Sequence, residues 1–258
     1  MHRWLLIIPL LCLFTSLSRA EVVSVASGEW PPYVSEQLEH GGVISHLISA
    51  AFAAVDIDVE YHYYPWNRSL NLVRAGAHDA TPVWSWTEQR EQQFLFSHSP
   101  IGIEQSVFFF RKSHPVTWQQ IWSPQPGEVI RIGATLGYSY GPEFQEHVQD
   151  EHFRLRRSHS DTEGLRLLLD GHIDAFPISR QVSEQLLALH FTASERNRLA
   201  TVARPLREID LHLLFSRATQ NGEQLREKFE AGLRIIEANG TRAAIVEQHQ
   251  FDPLISTP

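Results

Sequence analysis

An α/β fold built as two similar lobes is what this sequence predicts, on three observations. After residue 20, runs with strand character alternate with segments of helical periodicity along the whole chain. A pattern of helix end, glycine, two residues and Asp-Ala occurs twice, about 95 residues apart. The chain beyond its leader has about 238 residues and no cysteine, so a buried core and not disulfides must hold it.

The leader is read from its three parts. His2 and Arg3 give a basic start, Trp4 to Phe14 is nearly all apolar, and Ser18-Arg19-Ala20 ends on small residues. That is the pattern of a secretory signal, with cleavage expected near Ala20 and a periplasmic destination. The apolar run is shorter than the ~20 residues that span a bilayer. Cys12 follows Pro9-Leu10-Leu11 and lacks the small residues of a lipoprotein signal, so no membrane anchor is expected.

With Arg3 and Arg19 in the leader, the remaining chain carries 20 basic and 30 acidic residues. This acidic balance argues against nucleic acid and against an anionic membrane surface as partners. Lys112 and Lys228 are its two lysines; the other basic side chains are arginines, which grip carboxylates at two points.

In chain order, Val22 to Ala26 reads as a short buried strand ended by Ser27-Gly28. Glu29-Trp30-Pro31-Pro32-Tyr33 is a stiff aromatic turn, since two prolines remove backbone donors. Gly41-Gly42 opens a helix whose Val43, Ile44, Leu47, Ile48 and Ala51 have helical spacing. Asp56 to Tyr64 alternates as a strand, and Trp66 to Arg74 reads as a helix ending near Gly76. Further strands are expected at Ser106–Arg111, Ile130–Ala134 and Asp210–Phe215. A glycine-bounded loop, Thr135 to Gly141, precedes a helix; Glu223–Ala238 and Thr241–His249 read as the closing helices.

The repeated pattern is Gly76-Ala77-His78-Asp79-Ala80 and Gly171-His172-Ile173-Asp174-Ala175. Glycine there suits a left-handed helix cap, and Ser160-x-x-Glu163 is a capping box opening the second copy's helix. The spacing is too long for a solenoid repeat and fits one copy per lobe. Asp79 and Asp174 are expected to be structural, at helix-to-strand turns.

Seven ordered pieces carry a resemblance over essentially the whole mature chain: Gly28–Tyr33; Pro65-Trp66-Asn67-Arg68; Gly76-x-x-Asp79-Ala80; Thr87-Glu88-Gln89-Arg90 followed by Phe96-Ser97; Gly133 to Gly137; Gly171-x-x-Asp174-Ala175; and Ala238-Asn239-Gly240-Thr241. The chain resembles the family 3 extracellular solute-binding proteins, and is similar to the amino-acid receptors of ABC transporters. The resemblance implies a two-lobed periplasmic-binding-protein-like fold (type II) with the ligand in the cleft. Lobe 1 is then expected at 21–109 and 206–258, and lobe 2 at 110–205. Hinge crossings are expected near 107–111 and 203–208, with a separate sheet in each lobe.

The resemblance also implies the site. Arg90 would clamp a ligand carboxylate, which its planar fork suits, with Ser85 beside it. Trp30 and Trp66 would face the ligand side chain, with Tyr33 nearby. Ser139 and Tyr138, in the loop before a helix, would contribute from lobe 2. Arg68, two residues after Trp66, would add a second positive group if its helix turns it inward. Ser179 stands where the amino-acid receptors carry the aspartate that holds the ligand ammonium; Glu29 is the acid nearest in sequence to compensate.

Among the thirteen histidines after His2 none forms H-x-H or H-x-x-x-H, so no metal is expected, nor any other cofactor. No G-x-S-x-G or phosphate-loop pattern occurs, and no catalytic residue is assigned. The expected function is capture of a small polar, carboxylate-bearing solute by a monomer, in partnership with an ABC permease or a membrane sensor. The alternative is a dehydratase-like enzyme on the same scaffold, which would need a buried acid with a raised pKa in the cleft.

Overall fold

The structure, a computed structural model, describes residues 21–136, 138 and 140–249. The predicted leader with Cys12 lies outside the described residues, as do Gly137 and Ser139. The chain runs β1 (Glu21–Ser27), α1 (Val43–Ala53), β2 (Ile57–Tyr63), α2 (Trp66–Arg74), β3 (Ala80–Trp84), α3 (Glu88–Glu91), β4 (Phe94–Phe96) and β5 (Gly102–Arg111). It continues through α4 (Trp118–Trp122), β6 (Ile130–Thr135), α5 (Pro142–His147), β7 (Phe153–Ser158), α6 (Asp161–Leu169), β8 (Phe176–Ser179), α7 (Arg180–His190) and α8 (Ala193–Asn197). It closes with β9 (Leu199–Thr201), β10 (Arg207–Ser216), α9 (Gly222–Ala238) and α10 (Thr241–Gln248). The alternation read in the sequence is thus present, as an α/β fold.

The strand ladder runs β2-β1-β3-β10-β5-β8, with β4 on β10 and β9 on β5, while β6 and β7 pair separately. The expectation of one separate sheet per lobe therefore does not hold. The two long strands β5 and β10 are antiparallel over residues 102–106 and 207–211, and this pairing joins the two halves. At Ser106 the β5 strand changes partner: Ser106 pairs with Arg207 of β10 and also begins the pairing with Ser179 of β8. Beyond it, Phe109 to Arg111 pair with β9.

Apolar spacing explains the packing. On α1, Val43, Ile44, Leu47, Ile48, Ala51 and Phe52 are buried. They meet Val23 and Val25 of β1 and Phe229 of α9 in one cluster. In the other half Phe108, Ile121, Ile130, Ile132, Phe144 and Phe153 form a second cluster. Phe176, Ile178 and Leu165 belong to the first cluster, so the core is continuous across the join.

The sequence echo has a common structural cause. Gly76 (φ +75°) and Gly171 (φ +77°) both take the left-handed conformation that ends α2 and α6. In each copy the aspartate three residues later reaches the backbone of a neighbouring strand. The Asp79 carboxylate accepts from the Ser24 N–H of β1 at 2.9 Å, and that of Asp174 from the Arg131 N–H of β6 at 3.0 Å. Each also donates its own N–H to that residue's carbonyl, at 2.9 and 2.7 Å. Asp79 and Asp174 are structural pins, as the sequence implies. Ser160 caps α6 by accepting from Glu163 N–H, but the Glu163 carboxylate accepts from His159 N–H and not from Ser160, so the predicted capping box is half formed.

Candidate functional site

A cavity of about 260 Å³ opens where β5, β10 and β8 meet, walled on one side by β3, α2 and the aromatic turn and on the other by Tyr138 and Tyr140. Its lining includes Trp30, Trp66, Trp84, Ser85, Arg90, Glu104, Ser106, Tyr138, Ser179 and Arg207.

Arg90 is placed by a short turn. Thr87 accepts from the Arg90 N–H at the start of α3, which fixes the turn, and the Arg90 side chain folds back. Its Nη1 donates to the Ser85 carbonyl at 2.8 Å and the Ser85 hydroxyl at 3.0 Å. The guanidinium lies 4.8 Å over the Trp84 ring. Nε and Nη2 have no partner among the described residues, so the fork keeps donors for a ligand. Burial, and then the nearby Arg207, pull the Arg90 pKa below the usual arginine range; it stays charged. Arg90 and Arg207 thus both present a guanidinium to the cavity.

Val83 precedes this segment with φ +60°, rare for a β-branched residue, and it too lines the cavity. Backbone strain of this kind concentrates at functional sites.

The two tryptophans line the cavity, each half-buried. Trp30 stacks on Tyr33 with ring centroids 4.5 Å apart, and Trp66 meets Trp84 edge-on at 5.6 Å. Trp66 Nε1 donates to the Glu29 carbonyl at 3.3 Å. Gly28 makes the Trp66 position available: a Cβ there would lie 2.3 Å from the indole.

Other predicted residues are placed differently. Tyr33 is fully buried behind Trp30 and is not part of the lining. Its hydroxyl donates to the Gln181 side chain at 3.1 Å and lies 3.4 Å from the Ser179 hydroxyl, so it braces the two halves. Arg68 is exposed, 5.0 Å over the Tyr64 ring and outside the lining, because its position on α2 turns it away from Trp66. Glu29 is exposed and accepts from Glu36 N–H; it is not in the lining either. Tyr138 does line the cavity, held by a hydrogen bond from its hydroxyl to Asp161 at 3.2 Å. Ser139 lies outside the described residues.

The sequence reading missed the charged floor. Glu104 on β5 is 4% exposed, and its carboxylate accepts from the Ser106 hydroxyl at 2.8 Å. Burial pushes its pKa up from 4.5 to about 7, partly countered by the Ser106 bond and by Arg207, while Asp161 adds to the rise. Arg207, at the start of β10, is half-buried and lines the cavity beside it. One signal was available: Glu104 interrupts an apolar stretch that alternates from Gly102 onward, so an acid there faces the same side as Ser106 and Phe108.

The family model for bacterial extracellular solute-binding proteins, family 3, matches residues 22–252. No curated protein matches the chain. Among solved structures, a probable amino-acid ABC transporter extracellular-binding protein from Bacillus subtilis superposes with TM-score 0.74 at 14% identity, covering 91% of this chain and 99% of that one. A histidine kinase sensor domain with similarity to periplasmic binding proteins gives TM-score 0.69 at 19% identity, covering 89% and 96%. An ancestral arginine-binding protein bound to arginine gives 0.68 at 17%, covering 89% and 98%. At these identities the structures show the shared fold.

Proposed function

This chain belongs to the family 3 bacterial extracellular solute-binding proteins, and from that premise we propose that it captures a small amino-acid-like carboxylate in the cavity between its halves. The observation that carries the reading is the Arg90–Ser85 pair, a half-buried guanidinium with unused donors in a cavity of about 260 Å³. A desolvated, two-point, charge-assisted contact of this kind is strong and selects planar anions. Trp30 and Trp66 supply apolar walls for the rest of the solute. The lobe boundaries would follow the long strands, with residues 21–109 and 206–258 in one lobe and 110–205 in the other. The protein would work in the periplasm as a monomer, delivering its ligand to an ABC permease or reporting it to a membrane sensor. Structures similar to this chain include both a transporter-binding protein and a sensor domain.

Thermal-shift screening of the chain from Glu21 onward against L-amino acids, small carboxylates lacking an amine, and polyamines tests this. Carboxylates should raise the melting temperature and polyamines should not. Stabilisation by polyamines alone would overturn the reading.

Glu104 favours a second reading, since it is the buried cleft acid with raised pKa that an enzyme would need. The two are separated by recovering the bound solute after long incubation. A binding protein returns it unchanged; a dehydratase returns it short of one water.

A further inference from the structure

Glu104 is a buried carboxylate at the floor of a ligand cavity, and such a group needs a partner. Among the described residues the Ser106 hydroxyl is the one hydrogen-bond donor to it. The charged and titratable groups around it come from β10, α6, the aromatic turn, and Tyr138 and Tyr140 ahead of α5. Arg207 lies on the neighbouring strand β10, opposite Ser106, and Asp161 approaches from α6. Tyr138 and Tyr140 from the 135–141 loop and Tyr33 from the aromatic turn all feel its charge. Ser179, where an aspartate was expected, pairs in register with Ser106, so Glu104 stands one strand away in the same cavity.

Resting on the carboxylate reading above, we propose that Glu104 is the acidic pole of the ligand site, receiving a protonated amine on a solute whose carboxylate lies on Arg90. The cavity would then recognise a zwitterion from two opposite sets. Arg90, Ser85 and Arg207 take the anion, and Glu104, oriented by Ser106, takes the cation. An acid on the hinge strand instead of on the β8–α7 turn also ties recognition to the join between the halves. An incoming ammonium would hold Glu104 ionised and satisfy the acceptor capacity that Ser106 leaves open.

The test pairs each amino acid with its counterpart lacking the α-amine: L-arginine with 5-guanidinopentanoate, and L-glutamine with glutaramate. Affinities are measured calorimetrically at pH 8 and pH 5.5 for wild type and Glu104→Gln, with melting curves for both. Wild type at pH 8 should prefer the amine-bearing member of at least one pair by about 30-fold or more, the cost of unpairing a buried charge. The preference should shrink at pH 5.5 as Glu104 takes up a proton, and Glu104→Gln should abolish it while still binding the carboxylates. Equal binding of both members by wild type, or a preference that survives in Glu104→Gln, would show that Glu104 only balances Arg207. Either result overturns the assignment and leaves the Arg90 reading standing. The wild-type comparison requires no variant to fold. Binding of neither member of either pair would overturn the carboxylate reading and the assignment together.

Discussion

At the residue scale, the informative side chains are those whose burial conflicts with their charge. Glu104 is held in a place that disfavours its ionised form, so its effect on stability has a definite sign. Its pKa in the fold, about 7, lies above its ordinary value of 4.5. The folded state therefore binds the proton more tightly, and stability is lost as pH rises from 4.5 through 7. Replacing it with glutamine removes the charge and keeps the shape. Glu104→Gln is expected to be more stable than wild type at pH 8 by roughly 2–4 kcal/mol, with the difference vanishing near pH 4.5. Urea unfolding of both proteins at the two pH values measures it. A less stable variant at pH 8 would mean that the carboxylate is well compensated in the apo cavity.

At the element scale, the repeated helix–glycine–Asp–Ala unit does the same work twice, and Asp174 is its more buried copy. Burial raises its pKa, but the Arg131 hydrogen bonds outweigh that and bring it below the usual aspartate range. Its oxygens accept from Arg131 N–H and from Nε at 2.9 Å, and Arg111 and His114 stand nearby. Removing it takes the carboxylate from the buried Arg111, which keeps its bonds to the Leu168 and Ile173 carbonyls, and frees the start of β6. Asp174→Ala should cost roughly 2–3 kcal/mol, below the full figure for a buried pair because Arg131 is partly exposed. The contribution is present above pH 3.8 and is lost as pH falls below that, through the depressed folded pKa. A loss under ~0.5 kcal/mol, the range of ordinary surface substitutions, would reduce the echo to coincidence.

The elements were legible in the sequence where periodicity or a cap marked them. The helix over Trp66–Arg74 and the strands at 21–27, 57–63 and 130–135 fall within two residues of where the pattern puts them. The first four residues of β5 were not legible, because Gly102-Ile103-Glu104-Gln105 mixes an acid and an amide into an apolar strand. Those four residues hold the pairing with β10 and the cavity floor. Tyr33 and Arg68 were named from neighbours in sequence, which says which turn or helix carries a side chain but not which way it faces. Tyr33 turned inward to Gln181, and Arg68 outward over Tyr64. Arg90 and Ser85 were named through the family resemblance and not from the polar run that holds them; the capped turn and the return of the Arg90 side chain to Ser85 are visible only in the structure.

At the scale of the whole molecule, the first and last helices meet through histidines. The His40 ring stacks on His46 with centroids 3.9 Å apart, and His46 Nδ1 lies 3.1 Å from His249 Nε2 at the end of α10. Burial, and then neighbouring histidines, hold the pKa values of His46 and His249 below the usual 6.5. His78 is lowered by burial and then by His62, and His212 by burial. A lowered histidine contributes stability that is present above pH 6.5 and is lost as pH falls through the folded pKa, since the unfolded chain takes the proton first. Wild type should thus lose more stability between pH 7 and pH 5 than His46→Gln does, as read from unfolding curves at both values. An equal loss in the two proteins would exclude the histidine cluster as the cause.

The join at β5 and β10, the aromatic walls and the capped turn all position one guanidinium toward one cavity. The central claim is that Arg90 anchors the carboxylate of the solute. Calorimetric titration of wild type, Arg90→Lys and Arg90→Ala with L-arginine, L-glutamine and L-glutamate, alongside melting curves, tests it most directly. Wild type should bind at least one of the three. Arg90→Ala should lose roughly 2–5 kcal/mol of affinity, about 30-fold to several thousand-fold. Arg90→Lys should lose much of that as well, because a point charge does not reproduce the fork, and all three proteins should melt alike. Unchanged affinity in a normally folded Arg90→Ala would contradict the account.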